Sequence, residues 1–501
     1  MRRARAALAL AQLVQLATTA GAAFPPLPPR GWSSWNSFKL EINEEVVRSS
    51  ADIMARDLLP SGYEYLLIDD GWPPDTAMAK SKGGTAAARL SDGTIPVSDK
   101  KFPSGFKNLT DFVHSKGLKI GICESRNGAI CSLPHHRHHP TPTPNLMVVP
   151  DADTGVSHWT CGGYTASLGH EDTDAKSFVD WGFDFVKHDT CGGYNGEPAN
   201  ECGVGVLGGG NCIKNSTQKM AAALKKYGAA AGKEIVYYID HGNPTSPQRM
   251  FNPHQRFVSD LEESQSNVAK LAVRPDQLGW TWAADVCHMM KTTFDTNDSW
   301  ESMLNNLHST INLPTYQQPG YFNMPDMLSV GQGSQTQAQY RAQMLLWSVM
   351  GAPLILGADI RKLDAFTTSL ITATEVLAVN ADPDCVQGSL LRSRGSYEVW
   401  GKPLRHRVDA PAAADGGRGG DAPAVAVVLF NKGDVATNVT LRIAGHGDYG
   451  ESDIYPAGVD GKMVVRDLLK KEDLPARAHS LGELTMLVPP TDAVMLQIRA
   501  A

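Results

Sequence analysis

The chain has 501 residues, 42% of them hydrophobic and 20% charged, with a formal net charge of −7. That length leaves room for two domains, one of them with a full-sized core. Mild acidity argues against nucleic acid or an anionic membrane as a partner and suits a neutral ligand.

At the N-terminus Arg2, Arg3 and Arg5 precede an apolar run over 6–17 and the small residues Ala20 to Ala23. This is the layout of a secretory signal peptide, expected to be cleaved after Ala22 or Ala23 and too short to span a membrane. No other run reaches spanning length. A secretory route, leading outside the cell or to a lysosome or vacuole, permits disulfides, so the eight cysteines read as a few staples. Asn108, Asn215 and Asn438 begin glycosylation sequons. Asn297 begins another, expected to stay bare because it lies in a motif treated below.

Residues 31–38 read as a short strand running out into aromatic and polar side chains. Over 44–58 the apolar residues Val47, Ala51, Met54 and Leu58 keep helical spacing until Pro60 and Gly62 stop them. Residues 65–72 then read as a buried strand with Asp69 and Asp70 at its C-terminal end. Helix 106–115 precedes strand 118–123, helix 172–181 precedes strand 183–189, and helix 217–227 precedes strand 234–240. Further on, helix 299–307 precedes strand 321–326, and helix 335–350, with Ser334 as the expected N-cap, precedes strand 353–357. Such alternation means a parallel sheet, and this number of units favours a closed (β/α)8 TIM barrel over a doubly wound open sheet.

Two insertions, 81–101 and 132–158, interrupt the pattern. The second carries His135, His136, His138 and His139, but no acidic partner or Cys-x-x-Cys spacing accompanies them, so no metal is assigned. Past Asn380 short strands at 396–401, 424–431, 436–443, 463–468 and 493–499 follow one another without helices, which predicts a C-terminal antiparallel β-sandwich. Residues 409–424, rich in Ala, Gly, Asp and Pro, read as a mobile hairpin loop within it. The expected division is a signal peptide at 1–23, a catalytic barrel at 24–382 and an all-β domain at 383–501.

The polar residues are not scattered. Asp69, Asp70, Lys187, Asp189, Asp240 and Asp326 all fall at strand C-terminal ends, the face on which such barrels place their chemistry. Around Phe185-Val-Lys-His-Asp-Thr-Cys, the strand period puts Lys187 and Asp189 on one face and His188 on the other. An ammonium beside a carboxylate is expected to keep it ionised at low pH, as a nucleophile of glycan chemistry requires. Taken alone, the heptad reads first as an ordinary strand-end ion pair, and the rest of the sequence reverses that preference.

Eight short blocks in order carry a resemblance. They are Gly31-Trp-Ser-Ser-Trp-Asn, Leu67-Ile-Asp-Asp-Gly-Trp, Gly117-Leu-Lys-Ile-Gly-Ile, Asp180-Trp-Gly-Phe-Asp-Phe-Val-Lys-His-Asp-Thr-Cys, Asp295-Thr-Asn-Asp-Ser-Trp, Asn323-Met-Pro-Asp-Met-Leu, Leu346-Trp-Ser-Val-Met-Gly-Ala-Pro-Leu and Val379-Asn-Ala-Asp-Pro. From about Gly31 onward the chain resembles glycoside hydrolase family 27, which holds α-galactosidases and α-N-acetylgalactosaminidases. The resemblance implies Asp189 as nucleophile and Asp295 as acid/base of a retaining hydrolase, a mechanism that needs its two carboxyls about 5–5.5 Å apart. It further implies Asp69 and Asp70 as acceptors for sugar hydroxyls, Trp35 as a stacking platform, Lys187, Asp240, Lys291 and Asp326 as further pocket residues, and a disulfide between Cys161 and Cys191, with Cys131 competing for that role. Cys202 and Cys212 flank a Gly-rich loop and form a plausible second pair.

The departures concern the sugar more than the reaction. Cys123 stands where the family usually has Tyr, Lys291 where it has Arg, and Ile239-Asp240-His241 where it has Cys-Glu-Trp, which leaves Cys287 without its expected mate. The expected activity is removal of terminal α-linked galactose from an oligosaccharide or glycoconjugate, with no metal or organic cofactor. A sibling specificity for β-L-arabinopyranosides or α-N-acetylgalactosaminides is one alternative, and a non-catalytic glycan-binding relative is another. A homodimer is compatible with this reading.

Overall fold

The structure, a computed structural model, describes residues 24–74, 89–125, 164–189, 210–240, 282–291, 293, 295–311, 313–409, 424–443, 463–475 and 483–500. Eight parallel strands form one sheet: β1 (Arg30–Ser33), β2 (Tyr65–Ile68), β3 (Lys119–Ser125), β4 (Phe185–Asp189), β5 (Val236–Asp240), β6 (Met289–Lys291), β7 (Phe322–Met324) and β8 (Leu354–Leu356). Their order is β7-β6-β5-β4-β3-β2-β1-β8. The seam closes through Leu328, just past β7, which bridges in parallel to Leu356. Its N–H donates to the Ile355 carbonyl at 2.8 Å, and its own carbonyl accepts from Gly357 N at 2.9 Å. This is the closed (β/α)8 barrel that the alternation predicts.

Period-2 geometry explains which side chains fill the barrel. Tyr65, Leu67, Phe185, Val236, Tyr238, Met289, Met324 and Ile355 point inward and form one apolar cluster. The intervening Leu66, Ile68, Val186, Ile239 and Met290 point outward into the larger core beneath the helices. Close strand packing needs glycine at Gly31, where an added Cβ would sit 2.0 Å from the Tyr65 carbonyl oxygen.

The helix Glu44–Ile53 begins at Asn43, whose side chain accepts from Val46 N at 3.0 Å. The remaining helical content ends at Gly62 in a left-handed conformation, φ 84°. Helices Gly105–Ser115, Glu171–Asp180, Gly210–Ala230, Trp300–Ser309 and Gln337–Val349 follow the expected order. The last starts later than expected. Thr336, in a capping box with Gln339, is its N-cap, because the Ser334 amide is taken by Asp298 at 2.7 Å. Strand β6, of three residues, escapes sequence reading, since so short a run carries no period. The short helices Ala365–Ile371 and Thr374–Asn380 were also not foreseen.

Beyond them come β9 (Ser389–Arg394), β10 (Tyr397–Leu404), β11 (Ala424–Asn431), β12 (Thr437–Arg442), β13 (Met463–Asp467), β14 (Glu472–Asp473), β15 (Glu483–Val488) and β16 (Asp492–Ala500). A six-stranded antiparallel sheet, β14-β13-β16-β11-β10-β9, faces the pair β12-β15. Val399, Val427, Leu429, Val439, Leu441, Leu484, Leu496 and Ile498 fill the space between, as in a sandwich. The alternate residues Trp400, Ala426, Val428, Phe430 and Met495 join the core of the barrel helices. There the Phe430 ring lies edge-on to Trp300, with centroids 5.7 Å apart. Among the described residues no helix is long and apolar enough to cross a membrane. The histidine-rich insertion, Cys131, Cys161, Cys191, Cys202, Cys212 and most of the 409–424 loop lie outside the described residues.

Candidate active site

Strand register assembles the charged residues at one end of the barrel. Across β3 to β6 the row Ser125, Asp189, Asp240, Lys291 lies side by side, and Lys187 sits one inward position below Asp189. Lys187 is 4% exposed. Its ammonium lies 3.1 Å from Asp69, 3.3 Å from Asp189 and 3.2 Å from Asp240. Asp240 also meets Lys291 at 3.0 Å, and Lys291 pairs with Asp295 and lies 3.8 Å from Asp326. Asp189 and Asp295 therefore stand at the two ends of a chain of alternating charge, Asp189–Lys187–Asp240–Lys291–Asp295.

Each acid is set by its own element. Asp69, past β2, accepts from Ser33 at 3.4 Å and from the Asp70 amide at 2.9 Å, while its own amide donates to Ser34. Asp70 accepts from Gly71 N at 2.7 Å. Asp326 has φ 72°, and its two oxygens accept from Met327 N at 2.8 Å and from Thr296 N at 2.6 Å. Thr296 follows Asp295, and Asn306 donates to its hydroxyl at 2.8 Å. Asp326 thus braces the loop that presents Asp295. Trp35, on the single helical turn after β1, is half-buried against the barrel lining.

Ordinary electrostatics then corrects one expectation. Lys187 does stand beside Asp189, but it is shared with Asp69 and Asp240. Burial, helped by the Asp240 and Asp69 carboxylates, pushes the Asp189 carboxyl up to about 8 against the pull of Lys187 and Lys291. Burial and the neighbouring Asp295 and Asp240 raise Asp326 likewise. Asp295 goes the other way: the Lys291 ammonium holds it down at about 2. Burial opposes the charge on Lys187 and Lys291, yet the surrounding carboxylates more than offset it and raise both well above an ordinary lysine.

His188 faces away from this cluster, as the strand period requires, and pairs with Glu124 behind the sheet. Cys123, Cys287 and Cys385 are free buried thiols. Cys123 pairs in register with Lys187 on the pocket wall, and burial raises its thiol. Cys287 is held in the core, where burial also raises it. Of the expected site residues, Trp35, Asp69, Asp70, Lys187, Asp189, Asp240, Lys291, Asp295 and Asp326 occupy this end of the barrel; Cys161 and Cys191 lie outside the described residues. Sequence reasoning missed Lys39, whose ammonium lies 4.9 Å from the centroid of the Trp35 ring. Its only sequence signal was proximity to Trp35. It also missed the Ser33, Ser34, Thr296 and Asn306 supports, which carry none.

A family model described as Alpha galactosidase A, Melibiase_2, matches residues 27–135, 147–242 and 265–382. Among curated relatives, alpha-galactosidase 2 of Arabidopsis thaliana is 31% identical, covering 84% of this chain and 79% of its own length. Alpha-galactosidase A of Homo sapiens is 28% identical, covering 72% and 66%. Among solved structures, alpha-galactosidase I from Mortierella vinacea has a TM-score of 0.67 at 22% identity, covering 96% of this chain and 99% of that one, a likeness of fold.

Proposed function

The chain belongs to the alpha galactosidase A family of glycoside hydrolases, family 27, and from that premise we propose that it removes terminal α-linked galactose by double displacement. Asp189 attacks the anomeric carbon, forming the glycosyl-enzyme bond as the bond to the leaving oxygen breaks, and Asp295 delivers a proton to that oxygen. Asp295 then takes a proton from water, which displaces Asp189 and releases the sugar. The single observation that carries this reading is the arrangement of two carboxylates at opposite ends of one lysine-bridged cluster at the C-terminal mouth of the barrel.

The cluster also suits a polyhydroxylated neutral ligand. Asp69 and Asp70 supply acceptors for vicinal hydroxyls, and Trp35 supplies an apolar ring for the C–H face of the sugar. The working pair requires an ionised Asp189 and a protonated Asp295. The substrate is an α-galactoside oligosaccharide or glycoconjugate, and the protein acts along the secretory route, outside the cell or in a lysosome or vacuole.

The test compares Asp189→Asn and Asp295→Asn on nitrophenyl α-galactoside and on melibiose. Asp189→Asn abolishes turnover of both. Asp295→Asn loses far more on melibiose, whose leaving group needs the proton, than on the nitrophenyl substrate, whose leaving group does not. Absence of any turnover of α-galactoside, α-N-acetylgalactosaminide or β-L-arabinopyranoside by the unaltered protein overturns the reading. An inverted first product, seen by NMR, overturns the double displacement alone.

A further inference from the structure

The Asp295 carboxyl owes its place to its backbone. Its side chain is 82% exposed and meets only Lys291 among the described residues, so the loop 295–299 decides where it stands. Asp326 grips that loop at Thr296 N, and Asn306 at the Thr296 hydroxyl. A further hold comes from Asp298, three residues beyond Asp295. An acid at that position ordinarily serves the start of the helix that follows. Here Ser299 is the N-cap of helix Trp300–Ser309, accepting from Ser302 N at 3.2 Å, and the Ser302 hydroxyl accepts from Asn297 N at 3.0 Å. The helix start is capped without the Asp298 side chain.

That side chain leaves its own helix and reaches the next one. One of its oxygens accepts from Ser334 N at 2.7 Å and the other from Gln335 Nε2 at 2.9 Å, while the Tyr340 hydroxyl lies 2.9 and 3.0 Å from the two. Tyr340 is a firm point. It is buried on helix Gln337–Val349, and its oxygen accepts from Gly333 N at 2.5 Å and from Gln335 N at 3.3 Å. Gln335 Nε2 also donates to the Ser329 hydroxyl at 3.0 Å, and Ser329 is joined to the buried Gln343 through its amide at 3.1 Å and its hydroxyl at 2.9 Å. One carboxylate thus ties the loop of Asp295 to the turn 333–335 and, through it, to the segment that follows β7. Asp326 lies on that same segment, so two carboxylates fasten 295–299 to one support. Bonds to an ionised acceptor are the stronger kind, which suits them to this task.

We propose that Asp298 is the positioning residue of the acid/base: by latching loop 295–299 to the turn 333–335, it holds the Asp295 carboxyl where it meets the leaving oxygen. The inference rests on the reading of Asp295 as acid/base. All three donors to Asp298 belong to the protein, so it acts through the loop and not on the substrate. Loss of the latch frees a loop that carries an exposed acid, and misplacing a reacting group by about 1 Å costs about 100-fold in rate. Asp189, carried by β4 in the barrel wall and paired with Lys187, keeps its geometry. Proton transfer is therefore the step that suffers.

The experiment measures kcat/KM for melibiose and for nitrophenyl α-galactoside in the full-length protein and in Asp298→Ala, Asp298→Asn and Tyr340→Phe, with Asp295→Asn as the reference. The ratio of the two constants does not depend on how much of a variant is folded. Melibiose needs a proton at its leaving oxygen and the nitrophenyl group does not. In Asp298→Ala the ratio of melibiose to nitrophenyl galactoside falls about 100-fold, in the direction set by Asp295→Asn. Asp298→Asn, which keeps one acceptor oxygen, and Tyr340→Phe, which removes one donor, lower it about 10-fold, the equivalent of one hydrogen bond. Azide gives a second readout. It attacks the anomeric carbon and displaces the Asp189 carboxylate without needing a base, so it raises kcat on the nitrophenyl substrate in Asp298→Ala and yields galactosyl azide, while leaving the unaltered protein's kcat in place. Where Asp298→Ala folds poorly, Tyr340→Phe carries the test, since its ring stays in the core. A ratio unchanged in the Asp298 and Tyr340 variants but lowered in Asp295→Asn overturns the inference while the hydrolase reading stands. A ratio unchanged in Asp295→Asn overturns the acid/base reading and the inference with it, as does the absence of any turnover by the unaltered protein.

Discussion

Replacing Lys187 by Met tests the charge arrangement on which the site depends. The ammonium is buried and lies 3.1–3.3 Å from three carboxylates, so its loss removes the cation all three share and leaves Asp240 to Lys291. Removing one partner of a buried ion pair costs about 3–5 kcal/mol. For a barrel of about 360 residues that is a fall in Tm of roughly 4–7 °C. The cost also depends on pH with a definite sign. A carboxyl raised above its unfolded value takes up a proton on folding, so the stability it contributes is present below the unfolded value and is lost as pH rises through the folded one. Asp189 already behaves this way, at about 8 against 3.8, and the variant pushes it and its neighbours further. The gap between the unaltered protein and Lys187→Met is therefore smallest near pH 4 and widens toward pH 8, read by scanning calorimetry at fixed ionic strength. Adding Asp69→Asn to the variant recovers part of the loss, because one of the crowded charges is gone. A gap that stays flat from pH 4 to 8, or stays under about 1 kcal/mol, refutes the reasoning.

Two further predictions concern the scaffold. Glu398 is buried between barrel and sandwich, where His308 meets it at 2.9 Å, Trp400 at 3.0 Å and Lys432 at 3.2 Å. Burial works against its charge, but these partners outweigh burial and hold it at about 2, below its ordinary 4.5. Its stabilisation is thus present above pH 4.5 and lost as pH falls toward 2, so Glu398→Gln lowers stability by about 3 kcal/mol at pH 7 and by much less at pH 3, measured by urea midpoints. Gly31→Ala sets a Cβ 2.0 Å from the Tyr65 carbonyl oxygen, an atom of the neighbouring strand that cannot step aside. The barrel seam must open, with a loss of about 3 kcal/mol or more that appears as a reduced soluble yield and a lower Tm by circular dichroism.

What the sequence made legible follows from physical range. Helix Glu44–Ile53 announces itself through local spacing and through Asn43 as its cap, and Lys187 beside Asp189 through the period of one strand. Strand β6 did not, because three residues hold no period and only its barrel neighbours make Met289–Lys291 a strand. The same limit governs charge. From the sequence Lys187 belonged to Asp189 alone, and the expectation of an ionised carboxylate followed; in the fold β2 and β5 bring Asp69 and Asp240 to the same ammonium, and burial then decides the outcome the other way. Asp326 shows the complementary case, a residue placed correctly at a strand end whose oxygens are occupied by the backbone of the Asp295 loop.

Lys291 separates the two ends of the cluster. Its ammonium is 2% exposed and fixed by Asp240, whereas the Asp295 side chain is 82% exposed. If the pair loosens on binding, Asp295 is the partner that moves. An acid/base held down by an ammonium loses its proton too early to serve a leaving group, so a working cycle has to weaken this contact. Lys291→Met removes it permanently. Asp295 then keeps its proton to higher pH, and the alkaline limb of kcat/KM, set by loss of the acid's proton in the free enzyme, moves upward. Lys291→Arg retains the positive charge and leaves that limb near its original position. Asp189 loses some of its cationic support in Lys291→Met as well, so the acid limb moves upward too and the profile shifts as a whole. Were Lys291 only a sugar-binding group, the Met variant would raise KM with both limbs unmoved, and the electrostatic link between the two ends of the cluster would be refuted.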